Sequence, residues 1–339
     1  MRCRPATERS PDGSRGRRAA LLATAPLAAL LAAVHPVARA QGSDAPIAEV
    51  VVEGRHEGPR MWTVHRGDHV LWILGTVTPL PKKMIWQPDA VRAVLRQSQE
   101  VVPAWPTYGI GAHPFTALRL YIEWRRMQKL PDRLPLKQTL PPALYARVAA
   151  LKAKYDPHDA HLEELRPMLA AERLLTRVLD ASGLGLRNEV QQTVLTLARQ
   201  QGVRVRQDKL RIEDPVNVLR DVGATPLAGE IACLDAVVSR LETDLGPMQE
   251  RARAWALGDV DTLRRLAHPD DRTACISAVS TSERVRALIA RAQEDWLVVV
   301  EDSLARNRGT LAVQSMDRLL GEHGQLATLR ERGYRVEGP

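Results

Sequence analysis

The sequence predicts an α/β fold, a central mixed β-sheet flanked by helices with a large helical insertion. Three observations point there. Short apolar, β-type runs lie near both ends of the chain, at 61–64, 70–74 and 100–102 on one side and at 310–313 and 334–336 on the other. Between them, residues 115–200 place apolar side chains almost wholly at helical spacing. No Gly/Ser/Pro linker divides the chain and no repeat of fixed period runs through it, so 41–339 is expected to form a single domain with its helical middle at about 113–200.

In chain order, 48–52, 61–64 and 70–74 read as strands. The last two are joined by His65-Arg66-Gly67-Asp68-His69, a glycine-containing hairpin turn. Helical spacing over 88–98 leads into the strand at 100–102. The helical middle is interrupted at 131–139, at Asp156-Pro157 and around 182–185, where Pro, Ser and Gly cluster. A short strand follows Gly202, at 203–206. Helices are then expected at 216–222, 227–245, 248–256, 260–267 and 283–305. The tail closes with a helix ending at Arg306-Asn307, the apolar run 310–313, a loop with Gly321 and Gly324, a helix over 325–332 stopped at Gly333, and a last strand.

The first forty residues are expected to be removed. Arg15, Arg17 and Arg18 precede an Ala/Leu run at 19–34, and Val37-Ala38-Arg39-Ala40 fits a small-residue cleavage signal, so the mature chain starts at Gln41 in a periplasmic or secreted setting. The whole chain has a net charge of +8, and removing the seven arginines and two acids of 1–40 leaves +3. That is too weak for a nucleic-acid footprint. No apolar stretch after Gln41 approaches the roughly 20 residues of a membrane span. Cys233 and Cys275 remain after cleavage. An even pair in an oxidising compartment is a disulfide candidate, and two small buried hydrophobes are the alternative.

Several short segments, in order, carry a family resemblance. Residues 71–78 run an apolar strand into Gly75-Thr76-Val77-Thr78. Leu165-Arg166-Pro167-Met168 and Trp255-Ala256-Leu257-Gly258-Asp259 follow, and then the Arg306-Asn307 helix end, a strand, the glycine turns and Gly333-Tyr334. This order resembles the TraB/GumN family, which includes the Tiki-type metalloproteases, over most of 61–336. The resemblance implies a fold of the TraB/Tiki and EreA/ChaN type, with two GxxH turns at strand ends facing one cleft. The first falls on 75–78 and the second on 315–318, so the histidine positions are held by Thr78 and Arg318, and the second glycine position by Ser315. The family's Glu, at the end of the strand after the first helix, falls on Pro103-Ala104-Trp105, and its Gly-Val-Asp falls on Arg187-Asn188-Glu189.

A catalytic divalent cation needs neutral imidazole or carboxylate ligands and an open position for water. A threonine hydroxyl is a poor ligand, and an arginine repels the ion. The reading is therefore a degenerate metal-hydrolase site without metal or cofactor, in a cell-envelope protein with a binding or accessory role toward a peptide, protein or saccharide. Its rival is an active metal-dependent hydrolase or peptidase with ligands relocated to His323, Asp317, His113 or Glu53. The cleft candidates are Thr78, Arg306, Asp317, Arg318 and His323. Arg306 either holds an anion with its planar fork or serves as a helix C-terminal cation.

Other clusters compete with these. His158, Asp159 and His161 have the look of a metal box, but Asp156 as N-cap with Pro157 at the first helical position explains the segment structurally. His65 and His69 flank a hairpin turn, with His56 upstream, and read as solvated surface. Trp62, Trp72, Trp86 and Trp105 among prolines form either a binding wall or ordinary packing, with Trp86 and Trp105 following the strands that frame the cleft. No GxSxG elbow supports a nucleophilic triad.

Overall fold

The computed structural model describes residues 59–339, apart from 85, 105–106, 111–113, 131, 207–208, 267–271 and 321–323. The leader, the strand expected at 48–52, and Glu53, His56, Trp105, His113 and His323 lie outside the described residues.

The chain enters through a hairpin, β1 (Met61–Arg66) and β2 (His69–Thr76). Arg66 pairs with His69 across the turn Gly67-Asp68, where Gly67 takes φ 60°, a conformation open to glycine at little cost. A two-residue β3 (Leu80–Pro81) and the helix α1 (Asp89–Leu95) lead to β4 (Glu100–Val102) and β5 (Thr107–Ile110). Next come α2 (Pro114–Met127), α3 (Leu136–Thr139), α4 (Pro142–Tyr155), a 3₁₀ turn (Ala160–Glu164) and α5 (Pro167–Ala181). Prolines stand at the first position of α4 and α5, where the missing N–H costs nothing. The chain returns to the sheet through β6 (Leu184–Gly185), α6 (Glu189–Gln200), β7 (Arg204–Val205) and β8 (Lys209–Ile212). Five helices follow: α7 (Pro215–Gly223), α8 (Leu227–Thr243), α9 (Leu245–Leu257), α10 (Val260–Arg265) and α11 (Arg272–Val279). The long α12 (Glu283–Arg306) precedes β9 (Gly309–Ser315), α13 (Met316–Leu319), α14 (Gln325–Glu331) and β10 (Arg335–Glu337).

Six strands form the mixed sheet in the order β10-β1-β2-β9-β4-β7. The pairs β10-β1 and β1-β2 are antiparallel, while β2-β9, β9-β4 and β4-β7 are parallel. Gly309 through Gln314 are all buried in β9, the continuous burial of a parallel strand covered on both faces. The core around this sheet draws on Trp62, Ile73, Leu95 and Leu311, with Val194 of α6, Trp255 of α9 and Val300 of α12. Two further parallel strands, β5 and β8, continue from β4 and β7 and pair with each other, which the sequence did not suggest.

A second core lies among the helices, with Val148 of α4, Leu174 and Val178 of α5, and Leu234 and Val238 of α8. Cys233 and Cys275 form a disulfide that ties α8 to α11, with Cα atoms 4.5 Å apart. The helical layer therefore runs past residue 200, while α6 belongs to the sheet. Arg166, at the start of α5, forms a buried ion pair with Glu230 of α8 and donates to the Gly223 carbonyl at the end of α7 (2.9 Å). The second lone pairs of Glu230 are used as well, by the Met168 N–H at 3.3 Å, which is what a desolvated pair requires. The helix expected at 227–245 breaks at the buried Asp244, which Arg240 and Arg251 hold at 3.3 and 2.6 Å. Among the described residues no single helix is long and apolar enough to cross a membrane.

Candidate functional site

In open parallel sheets ligands bind beyond the carboxyl ends of the strands. Here β2, β9 and β4 run parallel, with Thr76 opposite Ser315 and Val102 opposite Ala312. The segments that leave β2 and β9, Val77-Thr78 and Met316-Asp317-Arg318, therefore start side by side, although 238 residues separate Thr76 from Gln314 in the chain. Gly75 permits this closeness, because a Cβ there would overlap the Met316 sulfur and lie 3.0 Å from the Trp62 ring. Thr78 is half-buried and joined to Pro79 by a cis peptide, while Arg318 is half-buried on α13.

The floor of this edge is a chain of neutral hydrogen bonds. The Thr76 hydroxyl, buried, donates to the Gln314 carbonyl (3.3 Å) and accepts from Asn188 Nδ2 (3.2 Å). Asn188 caps α6, its Oδ1 accepting from the Gln191 N–H at 2.9 Å. Gln191 Oε1 in turn accepts from the Ala104 N–H at 2.9 Å, just past β4. Gln314 is fully buried; its Oε1 accepts from the Ser315 N–H (2.9 Å), and its Nε2 has no partner among the described residues. The carboxyl ends of three strands and the start of one helix are thus joined by amide and hydroxyl groups alone. Two indoles bind the strands from the helices, Trp255 donating to the Gly75 carbonyl (2.7 Å) and Trp296 to the Val313 carbonyl (3.2 Å). Trp86 stands edge-on to Trp255 with ring centroids 5.7 Å apart, and is itself half-buried.

Arg306 is elsewhere. It ends α12 three residues before β9 begins, so it sits at the amino edge of the strand whose other end carries Ser315. Seven residues of strand separate the two edges by roughly 20 Å. Arg306 pairs there with Asp302, one helical turn back, and the reading as an anion holder in the cleft is replaced by that of a helix C-terminal cation. Hydrogen bonds from Arg206 first, and from Arg306, hold the Asp302 carboxyl below the usual carboxylate range. Asn307 donates to the buried Glu100 (3.0 Å), which also accepts from Ser303 (2.8 Å) and pairs with Arg204 (3.0 Å).

The remaining candidates separate as well. Asp317 lies beside Arg318 on α13, exposed. At the 156–161 segment, Asp156 is the C-cap of α4 rather than an N-cap. The cap is Asp159, which accepts from the His161 N–H (3.1 Å) and is ion-paired with Arg173, while both histidine side chains are exposed. His65 approaches Glu337 (3.5 Å), and His69 Nδ1 bonds the Leu304 carbonyl (2.8 Å), so the two rings engage different neighbours. Among the described residues no three His, Cys, Asp or Glu side chains come together as a metal site.

Reading the sequence missed Thr76, Gln191 and Gln314. Gln314 did leave a signal, as the polar residue closing the apolar run 311–313. The TraB/PrgY/gumN family matches residues 60–338 of the chain. No curated protein and no solved structure matches it significantly.

Proposed function

Because the chain belongs to the TraB/PrgY/gumN family, we propose that it is an exported cell-envelope protein whose family cleft binds a ligand instead of hydrolysing one with a metal. The observation that carries this reading is the donor set at the carboxyl edge of β2 and β9. The two turns supply a threonine hydroxyl, a thioether, one exposed carboxylate and a guanidinium. A divalent cation does not fit these groups, since the guanidinium repels it and the hydroxyl and thioether donate weakly. Such a set does not supply the metal-bound water of a metallohydrolase.

The same edge suits recognition of a neutral or hydrogen-bonding ligand. Above the buried Thr76, the half-buried Thr78, Asn188 and Gln191 offer hydroxyl and amide groups to a peptide or saccharide, and the half-buried Trp86, packed edge-on to Trp255, offers an aromatic ring. The leader at 1–40 supports export.

The test is metal affinity. Thr78→His and Arg318→His together are expected to raise zinc affinity above wild type, with either change alone doing little. Stoichiometric zinc, manganese or cobalt in the wild-type protein, lost together with a chelator-sensitive peptidase activity in Asp317→Ala or His323→Ala, would overturn the reading in favour of the hydrolase with relocated ligands.

A further inference from the structure

The helix α2 has two unlike faces. Thr116, Leu120, Glu123 and Met127 fall at i, i+4, i+7 and i+11 and are the shielded residues of the helix. This stripe meets α7: Glu123 pairs with Arg220 at 2.9 Å, and Met127 lies under Gly223. On the opposite side Leu118, Tyr121, Ile122 and Arg125 fall at i, i+3, i+4 and i+7, with Trp124 at the flank. Leu118, Tyr121, Ile122 and Trp124 keep 56, 60, 40 and 42 % of their surface open to solvent. A soluble domain normally covers such a run of large apolar side chains.

The charges on the helix are one-sided. Arg119, Arg125 and Arg126 are exposed, whereas the one acid, Glu123, is shielded and shared by Arg126 and Arg220. The C-terminal half of α2 and the end of α7 line a groove of about 870 Å³ that also takes in Arg133 and Lys129, the latter paired with Glu164 at 2.7 Å. Exposed leucine, isoleucine and aromatic residues interleaved with arginine make the composition of a helix that lies in a membrane interface. At 14 residues the helix is too short to span a bilayer, which takes about 20. A second copy of the chain is a poorer occupant, because an isologous contact through this face gathers the arginines of both helices into one interface with no exposed acid on α2 to offset them.

We propose that α2 docks this protein on an anionic phospholipid surface, with Leu118, Tyr121, Ile122 and Trp124 entering the headgroup boundary and the arginines meeting lipid phosphates. This does not depend on what occupies the cleft. Each arginine near an anionic bilayer contributes roughly fivefold in partitioning, so charge reversal and removal of the apolar residues should each be readily measured.

The test uses vesicles of phosphatidylglycerol and phosphatidylcholine with the full chain. Wild type should co-sediment with the anionic vesicles and only weakly with pure phosphatidylcholine. Leu118→Ser/Ile122→Ser and Arg119→Glu/Arg125→Glu alter exposed positions and should keep the folded circular dichroism spectrum, yet each should lower binding at least tenfold. Brominated phosphatidylglycerol should quench tryptophan emission, and Trp124→Phe should remove most of that quenching; residues 1–40 contain no tryptophan, so the signal excludes the leader. The proposal is overturned if wild type ignores anionic vesicles, if the variants bind as well as wild type, if quenching survives Trp124→Phe, or if the variants only convert a dimer to a monomer.

Discussion

Breaking the bridge between Cys233 and Cys275 tests how the helical layer is held. The cysteines are 42 residues apart, and their bridge joins α8 to α11. In the chain-entropy estimate, closing a loop of that length removes about 13 cal/mol/K from the unfolded ensemble, or about 4 kcal/mol at 25 °C. An unfolding entropy of roughly 2 cal/mol/K per residue over some 280 folded residues converts this to a fall in Tm of about 7 °C. Cys233 is buried and the Cys275 side chain packs against the same core, so alanine is a better replacement than serine, which adds a hydroxyl needing a partner. The assay is thermal unfolding by circular dichroism of Cys233→Ala/Cys275→Ala, alongside wild type with and without reductant. The variant and the reduced wild type should both melt several degrees below the oxidised protein. A reduced wild type that melts with the oxidised form would refute the reasoning, because the sequence and contacts are then identical and only the crosslink differs.

Two other perturbations probe the sheet edge and the 3₁₀ cap. Gly75→Ala places a methyl on the Met316 sulfur and near Trp62, and should cost roughly 1–3 kcal/mol in urea denaturation. Combining it with Met316→Ala should cost less than the sum of the two single changes, the sign of direct coupling. Asp159→Asn keeps a capping side chain and loses the charge. The hydrogen bond from Arg173 holds the Asp159 carboxyl below its ordinary value, so its contribution is present above the unfolded carboxyl pKa and lost as pH falls through the folded one. The variant should be less stable than wild type near pH 7, by roughly the 1.5–3 kcal/mol of a hydrogen bond to a charged group, with the gap closing in acid; a gap that is constant down to pH 2 would assign the loss to packing.

Much of the architecture was legible because burial imposes a period. The run 310–313 became the buried strand β9, and the helical spacing of 283–305 became α12. The strands β5 and β8 were not legible, since four residues give too few alternations to tell a strand from an extended loop, and their pairing depends on β4 and β7 being neighbours. The 156–161 segment shows two aspartates competing for one cap; α4 extends to Tyr155, which makes Asp156 its end and passes the cap to Asp159. The position of Arg306 was implicit in the sequence. A residue that precedes a strand lies at its amino edge and the turn that follows lies at its carboxyl edge, so Arg306 and Arg318 had to be at opposite ends of β9. The neutral chain from Thr76 to Gln191 had no local signature, because each member is an ordinary residue whose partner is distant in sequence.

The two edges of the parallel strands differ in chemistry, and the difference decides what the Arg306-Asn307 pair means. At the amino edge a buried carboxylate, Glu100, is held by Ser303, Asn307 and Arg204, and Arg306 is taken up by Asp302. Removing Asn307 there would leave Glu100 short of a donor in a desolvated place, a cost of folding whatever the cleft does. The dipeptide therefore has a structural reason to be present, and its presence says nothing about hydrolysis. At the carboxyl edge the hydrogen-bonded floor runs from Ala104 through Gln191 and Asn188 to Thr76, and neither Thr78 nor Arg318 is a link in it. Function in this chain is accordingly to be sought in substitutions at 78 and 315–318, and a change at 306 or 307 should be read first through the melting temperature.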